Sequence, residues 1–370
     1  MIITIISTAS RFGGALSIYL QFLNHLEGEK GDNRYYILID SQMPIRKIAG
    51  VVFIPVKNSA LKRICFDFYG LKRLLLKKGI SPDVIFSLQN TAVSCGNVPQ
   101  LVYYHQSLPF FNYKFNILSS TGRTYFFYHY LYPLYVKLLN NKNVKYIVQT
   151  DYMKECFTKT FSSVPCNNVY SYFPDVENVE SNEVSDYVFD EGTYNFIYPA
   201  LAADYKEHET LVYALKKLEE KEKDVCEKIR IHFTFTENSF PHLSNLIKNL
   251  HLEKNFVFQG RVEHGILLSM VKCCRGLLFP SVIETIGLPM LEAAALGVPI
   301  VANDLPFVHS VIDDYSGASF MQLRNYDQWS LRILSLCYRY ERFQELRKNS
   351  STWPQVFQLI TTLGKKEAKI

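Results

Sequence analysis

The sequence predicts an α/β protein of two doubly wound parallel-sheet domains with a cleft between them. Three observations carry this. The chain has 370 residues, more than one compact core usually organises. Short apolar runs alternate with longer helical patterns, which is the rhythm of βαβ units. A stretch with seven acids and no base, "DVENVESNEVSDYVFDEG" at 175–192, interrupts that rhythm once and reads as a solvated connection.

In the first half the strand candidates are 2–7, 35–39, 51–55, 83–88, 101–105 and 146–149, with helical stretches at 15–26 and 68–78 among them. After the acidic stretch the alternation resumes at "YNFIYPA" and runs through "IRIHFTF", "NFVFQG", "GLLFP" and "VPIVA", enough for a second parallel sheet. Ligands of such sheets bind beyond the carboxyl ends of the strands. The residues just after each strand are therefore the candidates for function.

Composition narrows the class. Apolar residues make up 48% and charged ones 20%, an ordinary globular balance. The net charge of +5 is unevenly spread: residues 1–170 hold 19 Lys and Arg against 8 Asp and Glu, and the remainder 21 against 27. A basic half suits an anionic partner such as a nucleotide, a lipid pyrophosphate or a membrane surface, although solvated charge without a ligand gives the same numbers. The eight cysteines are scattered, without a C-x-x-C. That argues for reduced thiols in a cytoplasmic protein, and against a disulfide framework or zinc site. The opening "MIITIIS" has no basic start, and its apolar run is short for a signal peptide. No run approaches the ~18 apolar residues of a spanning helix. The expectation is a soluble chain, or one attached to a membrane surface.

The segment "GLLFPSVIETIGLPMLEAAALGVPIVA", 276–302, concentrates the chemistry. Glu284 and Glu292 are its only charged residues. "GLLFP" reads as a buried strand and "SVIET" as the loop leaving it, which puts Glu284 at the strand's carboxyl end. A helix then opens near Ile286 and Gly287, with Pro289 in its first turn, where a missing N–H costs nothing. Helical side chains lean toward the N-terminus, so Glu292 reaches back toward the same rim. Buried carboxylates need donors, and sugar hydroxyls are donors. The N–H groups of Ile286, Gly287 and Leu288 suit a phosphate. The competing reading leaves Glu284 solvated and Glu292 on an exposed stripe.

"PSVIETIGLPMLEAAALGVPIVANDLP" resembles the donor-binding signature of retaining GT-B glycosyltransferases of family 4, in which two glutamates bracket seven residues. "QGRVEHGILLSMVKCCRGLLFPS" is similar to the family's preceding strand–loop–helix–strand, and "STWPQVFQLITTL" to its C-terminal helix. The resemblance, which extends to most of the chain, implies the GT-B fold, two Rossmann-like domains facing a central cleft. It implies an acceptor-side domain at 1–174, the acidic linker at 175–192, a nucleotide-sugar-binding domain at 193–349, and at 350–370 a helix crossing back to the first domain. It assigns Glu292 to the ribose hydroxyls, Glu284 to the donor sugar, and the loop with Arg261 and Val262 to the base.

Gly13 and Gly14 in "STASRFGGALSIYL" stand between the first strand and first helix, where backbone can approach a phosphate or the transferred sugar. They do not form the G-x-G-x-x-G fingerprint, so a dehydrogenase loses its main support. The family has a similar pair, usually with a Glu soon after, where this chain has Ala15-Leu16-Ser17. His105 ends the strand in "LVYYHQSLPFF" and taken alone suits a structural role; the resemblance implies contact with sugar or acceptor.

Lys206 in "YPALAADYKEHETL" precedes a helix start, an unfavourable place for a cation unless an anion shares it. The resemblance assigns it to the departing diphosphate, beside an Arg five positions earlier. That position is Leu201 here. The aromatic segment 122–139 reads as a helix buried on the sheet, or as one resting on a membrane interface.

The expected activity is therefore a retaining, metal-independent transfer of a hexose-type unit from a UDP- or GDP-sugar to a saccharide or polyprenyl-pyrophosphate-linked acceptor. The setting is cell-surface polysaccharide assembly (O-antigen, capsule or exopolysaccharide), in the cytoplasm or peripherally on the inner face of its membrane. No cofactor, metal or nucleic acid is expected: no Asp-x-Asp follows a strand and no His/Cys cluster has ligand spacing. A non-catalytic nucleotide-sugar-binding subunit and a nucleotide-sugar epimerase are the alternatives.

Overall fold

The computed structural model describes the chain apart from residues 12, 30, 44, 58–59, 112–119, 177–183, 347–350 and 367–370. Part of the expected linker thus lies outside the described residues. The chain divides into two compact units, Met1–Asp175 with Ser350–Ile370, and Val176–Asn349.

The first unit holds a seven-stranded sheet of β1 (Ile2–Ser7), β2 (Arg34–Asp40), β3 (Val51–Val56), β4 (Val84–Ser87), β5 (Gln100–Tyr103), β6 (Val144–Val148) and β7 (Val169–Ser171), in the order β3-β2-β1-β4-β5-β6-β7. All pairs are parallel. β1 shows why this segment is a strand: "IITIIS" is mostly β-branched and buried on both faces, which suits the centre of a parallel sheet. β7, with three residues and one of them buried, lacks the apolar run that marks the others.

The helix Trp353–Lys366 belongs to this unit. Trp353, Val356, Phe357, Ile360 and Leu363 recur at helical spacing and are all buried. Each such side chain contributes about 1.5–3 kcal/mol of transfer free energy. The Phe357 ring stacks on Phe22 at 5.5 Å, and Trp353 stacks on Tyr103 at 6.0 Å. Thr352 Oγ1 donates to the Phe173 carbonyl at 2.6 Å, fixing the helix start.

Two expected helices are interrupted. The stretch read at 68–78 begins inside a π-turn, Phe66–Gly70, which a helix Ala60–Cys65 precedes, and continues as a helix Leu71–Lys77. The aromatic segment likewise has a π-turn at Phe127–Leu131 between Ser120–Phe126 and Tyr132–Leu139. Tyr132, Tyr135, Val136 and Leu139 are buried, whereas Tyr130, Leu131, Leu134 and Leu138 are exposed. Among the described residues no helix is long and apolar enough to cross a membrane.

The second unit holds six parallel strands, β8 (Tyr194–Tyr198), β9 (Ile229–Phe233), β10 (Phe256–Phe258), β11 (Gly276–Phe279), β12 (Ile300–Asn303) and β13 (Ala318–Met321), in the order β10-β9-β8-β11-β12-β13. The end of the acidic segment, 184–192, is mostly exposed and is fastened to this unit at a few points. Lys272 Nζ donates to the Val184 carbonyl at 2.8 Å and pairs with Asp186 at 2.7 Å, and Phe189 lies 5.2 Å from the His232 ring.

Two histidines of this unit are interior and neutral. His232 Nε2 lies 2.8 Å from Asn195 Oδ1, and Gln259 Nε2 donates to its Nδ1 at 2.9 Å, a pattern that a neutral ring satisfies. Burial, with Arg230 nearby, pushes its pKa down to about 4. His208 sits among the rings of Tyr198, Phe233, Phe235 and Phe240. Burial and the neighbouring Lys206 push it down to about 3. Both folded-state values lie below the unfolded value, so the unfolded chain binds protons that the fold refuses. Their stabilisation is complete above pH ~6.5 and is lost as pH falls toward 4 and 3, at up to about 1.4 kcal/mol per pH unit for each. Denaturant titrations between pH 7 and 5 should show this decline. His232→Gln should flatten it by about one proton's worth; an unchanged slope would count against a neutral His232.

Candidate active site

β8 and β11 lie side by side, with Gly276 opposite Phe196 and Leu277 opposite Ile197. The chain leaves β8 toward β9 on one side and leaves β11 toward β12 on the other. The crevice at their carboxyl ends is the switch point at which open parallel sheets bind ligands. Lys206 follows β8 in the turn Asp204–Lys206, and Glu284 follows β11.

The two meet: Lys206 Nζ donates to Glu284 Oε1. Lys206 is 8% exposed, and an ammonium so buried needs its counter-charge. Neighbouring bonds hold both loops. Val282 N donates to the Tyr205 carbonyl at 3.0 Å, and Tyr198 Oη donates to the Lys206 carbonyl at 2.7 Å. Asn303, at the end of β12, donates to the Pro280 carbonyl.

Glu207, next to Lys206, adopts a left-handed conformation at φ 51°. Side chains with a Cβ rarely take this region, and it persists where surroundings enforce it. Arg324 enforces it here with a bidentate grip, Nε to Oε2 at 3.0 Å and Nη2 to Oε1 at 2.6 Å. Leu201 is exposed and supplies no charge.

The helix bearing Glu292 spans Leu288–Ala295, with Pro289 in its first turn. Gly287 precedes it at φ 68°, where a Cβ would stand 2.6 Å from Met290 Cε and 3.2 Å from the Phe279 ring. Glycine is therefore favoured here, and Met290 N closes the turn by donating to the Gly287 carbonyl at 2.9 Å. Ile286 is buried, which seats this turn. Glu292 Oε1 lies 3.0 Å from His264 Nε2. His264 opens the helix His264–Cys273, just after the loop of Gly260, Arg261 and Val262. Gly260 N donates to the Phe235 carbonyl at 3.2 Å, Arg261 is exposed, and Val262 is half-buried. The second unit thus gathers Lys206 with Glu284, and Glu292 with the 260–262 loop.

The other candidates belong to the first unit, whose switch point lies between β1 and β4. Gly13, at φ 59°, and Gly14 begin the helix Gly13–Gly28 after β1, both exposed, with open space where a side chain would stand. Thr8 and Gln89, beyond β1 and β4, join through Thr8 Oγ1 to Gln89 Oε1 at 2.9 Å. His105 follows β5, and its N–H donates to Asn90 Oδ1 at 2.5 Å. Burial and nearby Arg63 push the His105 pKa down to about 4, and its Nδ1 is buried without a partner. Burial thus keeps the ring neutral.

His264, Arg324 and the pair of half-buried Arg63 and buried Asp67 escaped the sequence reading. His264 adjoins the 260–262 loop in "GRVEHG", and Asp67 is an acid among aromatics in "CFDFYG"; both were visible signals. Arg324 lies 117 residues from its partner, and no local pattern marks it.

Residues 180–353 match the family model described as glycosyl transferases group 1. The O-antigen chain mannosyltransferase RfbU of Salmonella typhimurium is 26% identical over 94 residues, covering 25% of this chain and 26% of that protein. The chain thus matches about a quarter of that relative's length. Among solved structures, WaaG, a glycosyltransferase involved in lipopolysaccharide biosynthesis, aligns with TM-score 0.65 and 15% identity over 92% of this chain and 91% of its own. HepE of Anabaena, solved with UDP and glucose, gives 0.64 and 12% over 100% and 98%. Sucrose-phosphate synthase of Thermosynechococcus elongatus gives 0.67 and 14%, also over 100% and 98%. At these identities the likeness speaks for the fold, two parallel-sheet Rossmann-like units. Residues 180–353 thus form a domain similar to the glycosyl transferases of group 1, in a chain with the two-unit GT-B fold of these solved structures.

Proposed function

We propose that this chain transfers a sugar from a nucleoside-diphosphate sugar to a saccharide or lipid-linked saccharide in cell-surface polysaccharide assembly, with retention and without a metal. The observation that carries the reading is the Lys206–Glu284 pair at the switch point of the second sheet. In that crevice the ammonium suits a diphosphate, and the carboxylate suits sugar hydroxyls. Glu292, beside the 260–262 loop, suits a ribose. The similarity to RfbU and WaaG favours O-antigen or lipopolysaccharide assembly, and the UDP and glucose held by HepE favour a nucleotide-sugar donor.

In this reading the bond from the anomeric carbon to the leaving diphosphate breaks, and a bond to the acceptor oxygen forms on the same face. The acceptor proton passes to the departing phosphate oxygen. The protein positions the partners and stabilises charge. Negative charge grows on the diphosphate as its bond to the sugar breaks, so a cation there favours the transition state over the ground state. With Leu201 apolar, Lys206 carries this task with the helix start after Gly287. The exposed Leu131, Leu134 and Leu138 offer an apolar face to a membrane-borne acceptor.

Lys206→Ala should lower kcat by roughly 10²–10³-fold, the scale of losing an electrostatic donor, and raise donor KM by less. Lys206→Arg should restore part of the rate, because charge matters more here than shape. Near-wild-type turnover by a folded Lys206→Ala would remove this residue from the reaction. The experiment follows nucleoside diphosphate release with a saccharide acceptor, with the anomer read by NMR.

Glu292→Gln should weaken binding of the nucleoside diphosphate by about 1.5–3 kcal/mol, the worth of a charge-assisted hydrogen bond. Glu284→Gln should leave that affinity near wild type and impair transfer. Thermal shifts with UDP and GDP measure both, since a ligand of the native state raises apparent stability. Equal affinity in Glu292→Gln would place the ribose elsewhere.

Because Lys206 and the helix start supply the positive charge, turnover should survive excess chelator. Abolition by EDTA with rescue by Mg²⁺ or Mn²⁺ would refute the metal-free route.

A further inference from the structure

The first unit has a groove of about 340 Å³ at the carboxyl end of β3, lined by the bases Lys57, Lys62 and Arg73 and by the rings of Phe66 and Tyr69. We propose that this groove binds a phosphate or pyrophosphate group whose carrier lays an apolar or sugar moiety against the two rings.

The lining contains no acid. All three bases are exposed, and none forms an ion pair with another described residue. Three like charges converging on one concavity repel one another, and an anion relieves that repulsion. Guanidinium and ammonium groups are the usual phosphate donors, the first as a fork and the second as a point charge. Tyr69 is 78% exposed, an unusual cost for a large ring with nothing to cover.

The groove is a built feature of the chain. Phe66–Gly70 forms a π-turn, a widened turn that recurs at functional sites. It swings Asp67 fully inward, where Gln89 Nε2 donates at 3.0 Å and Thr91 Oγ1 at 3.1 Å, and Tyr135 Oη donates as well. Arg63 stands 3.8 Å from the same carboxylate. On the outer side of the same turn, Phe66, Tyr69 and Gly70 face the groove. A Cβ on Gly70 would lie 2.9 Å from the Phe66 ring, so the ring rests on bare backbone and the floor is fixed. The interior network thus holds the turn whose outer face presents the rings between the bases.

The test is binding alone, so it stands or falls apart from the transfer reaction. Inorganic pyrophosphate is titrated calorimetrically into the full chain, into Lys62→Ala/Arg73→Ala, into the charge-conserving Lys62→Arg/Arg73→Lys, and into Lys206→Ala. The alanine pair should bind about tenfold more weakly or worse, as expected for losing charge-assisted bonds. The charge-conserving pair should retain binding, and Lys206→Ala should lose only what the second-unit crevice binds while keeping the groove's share. No binding by the wild-type chain, or equal binding by the alanine pair, overturns the proposal; so does loss confined to Lys206→Ala, which would put the anion in the second unit. Co-sedimentation with phosphatidylcholine vesicles, with and without phosphatidylglycerol, separates the sources. Sedimentation that needs phosphatidylglycerol and is lost in the alanine pair assigns the phosphate to a lipid headgroup. Unchanged sedimentation alongside weakened pyrophosphate binding assigns it to a soluble ligand.

Discussion

Two neighbouring strands that send the chain in opposite directions position the candidate residues of the second unit. β8 and β11 are adjacent, yet their following loops turn apart, so no helix crosses the crevice at their ends. Lys206 comes from one loop and Glu284 from the other. Each is too buried to be left uncompensated, so the pair draws both loops to one geometry. The αL turn at Glu207, clamped by Arg324, and the αL turn at Gly287 then deliver two helices to the same rim. Remove the strand order, and none of these contacts has a reason to form.

The first unit solves the same problem differently. Its switch point between β1 and β4 is bridged by the neutral Thr8–Gln89 bond, and its ionic centre, Arg63 with Asp67, lies on a helical face instead. Gln89 touches both, since its oxygen accepts from Thr8 and its nitrogen donates to Asp67. One amide thus ties the glycine-bearing β1 end to the π-turn. His105, near Arg63, is kept neutral by that proximity as well as by burial.

Most of the architecture was legible because parallel strands buried on both faces leave apolar runs that few other structures imitate. Glu284 and Glu292 were legible for the same reason, as charges in an apolar setting. Lys206 was legible as a cation at a helix start, and the anion that position called for turned out to include Glu284, 78 residues away. Pairings over such separations have no local signature, which is also why Arg324 went unread. β7 and β13 are short and half-exposed, so their composition is that of loops. The π-turns were invisible because one extra residue per turn leaves an aromatic-rich pattern looking helical, although it turns Asp67 inward.

The helix Trp353–Lys366 completes the first unit but is encoded after the whole of the second. Units generally fold in order as they emerge during synthesis, yet this one must wait. Until that helix arrives, Phe22 and Tyr103 lack the rings that cover them. The first unit is therefore the last to be finished on the ribosome. A truncation just before Trp353 would strike the unit made first of the two and leave the intervening one whole.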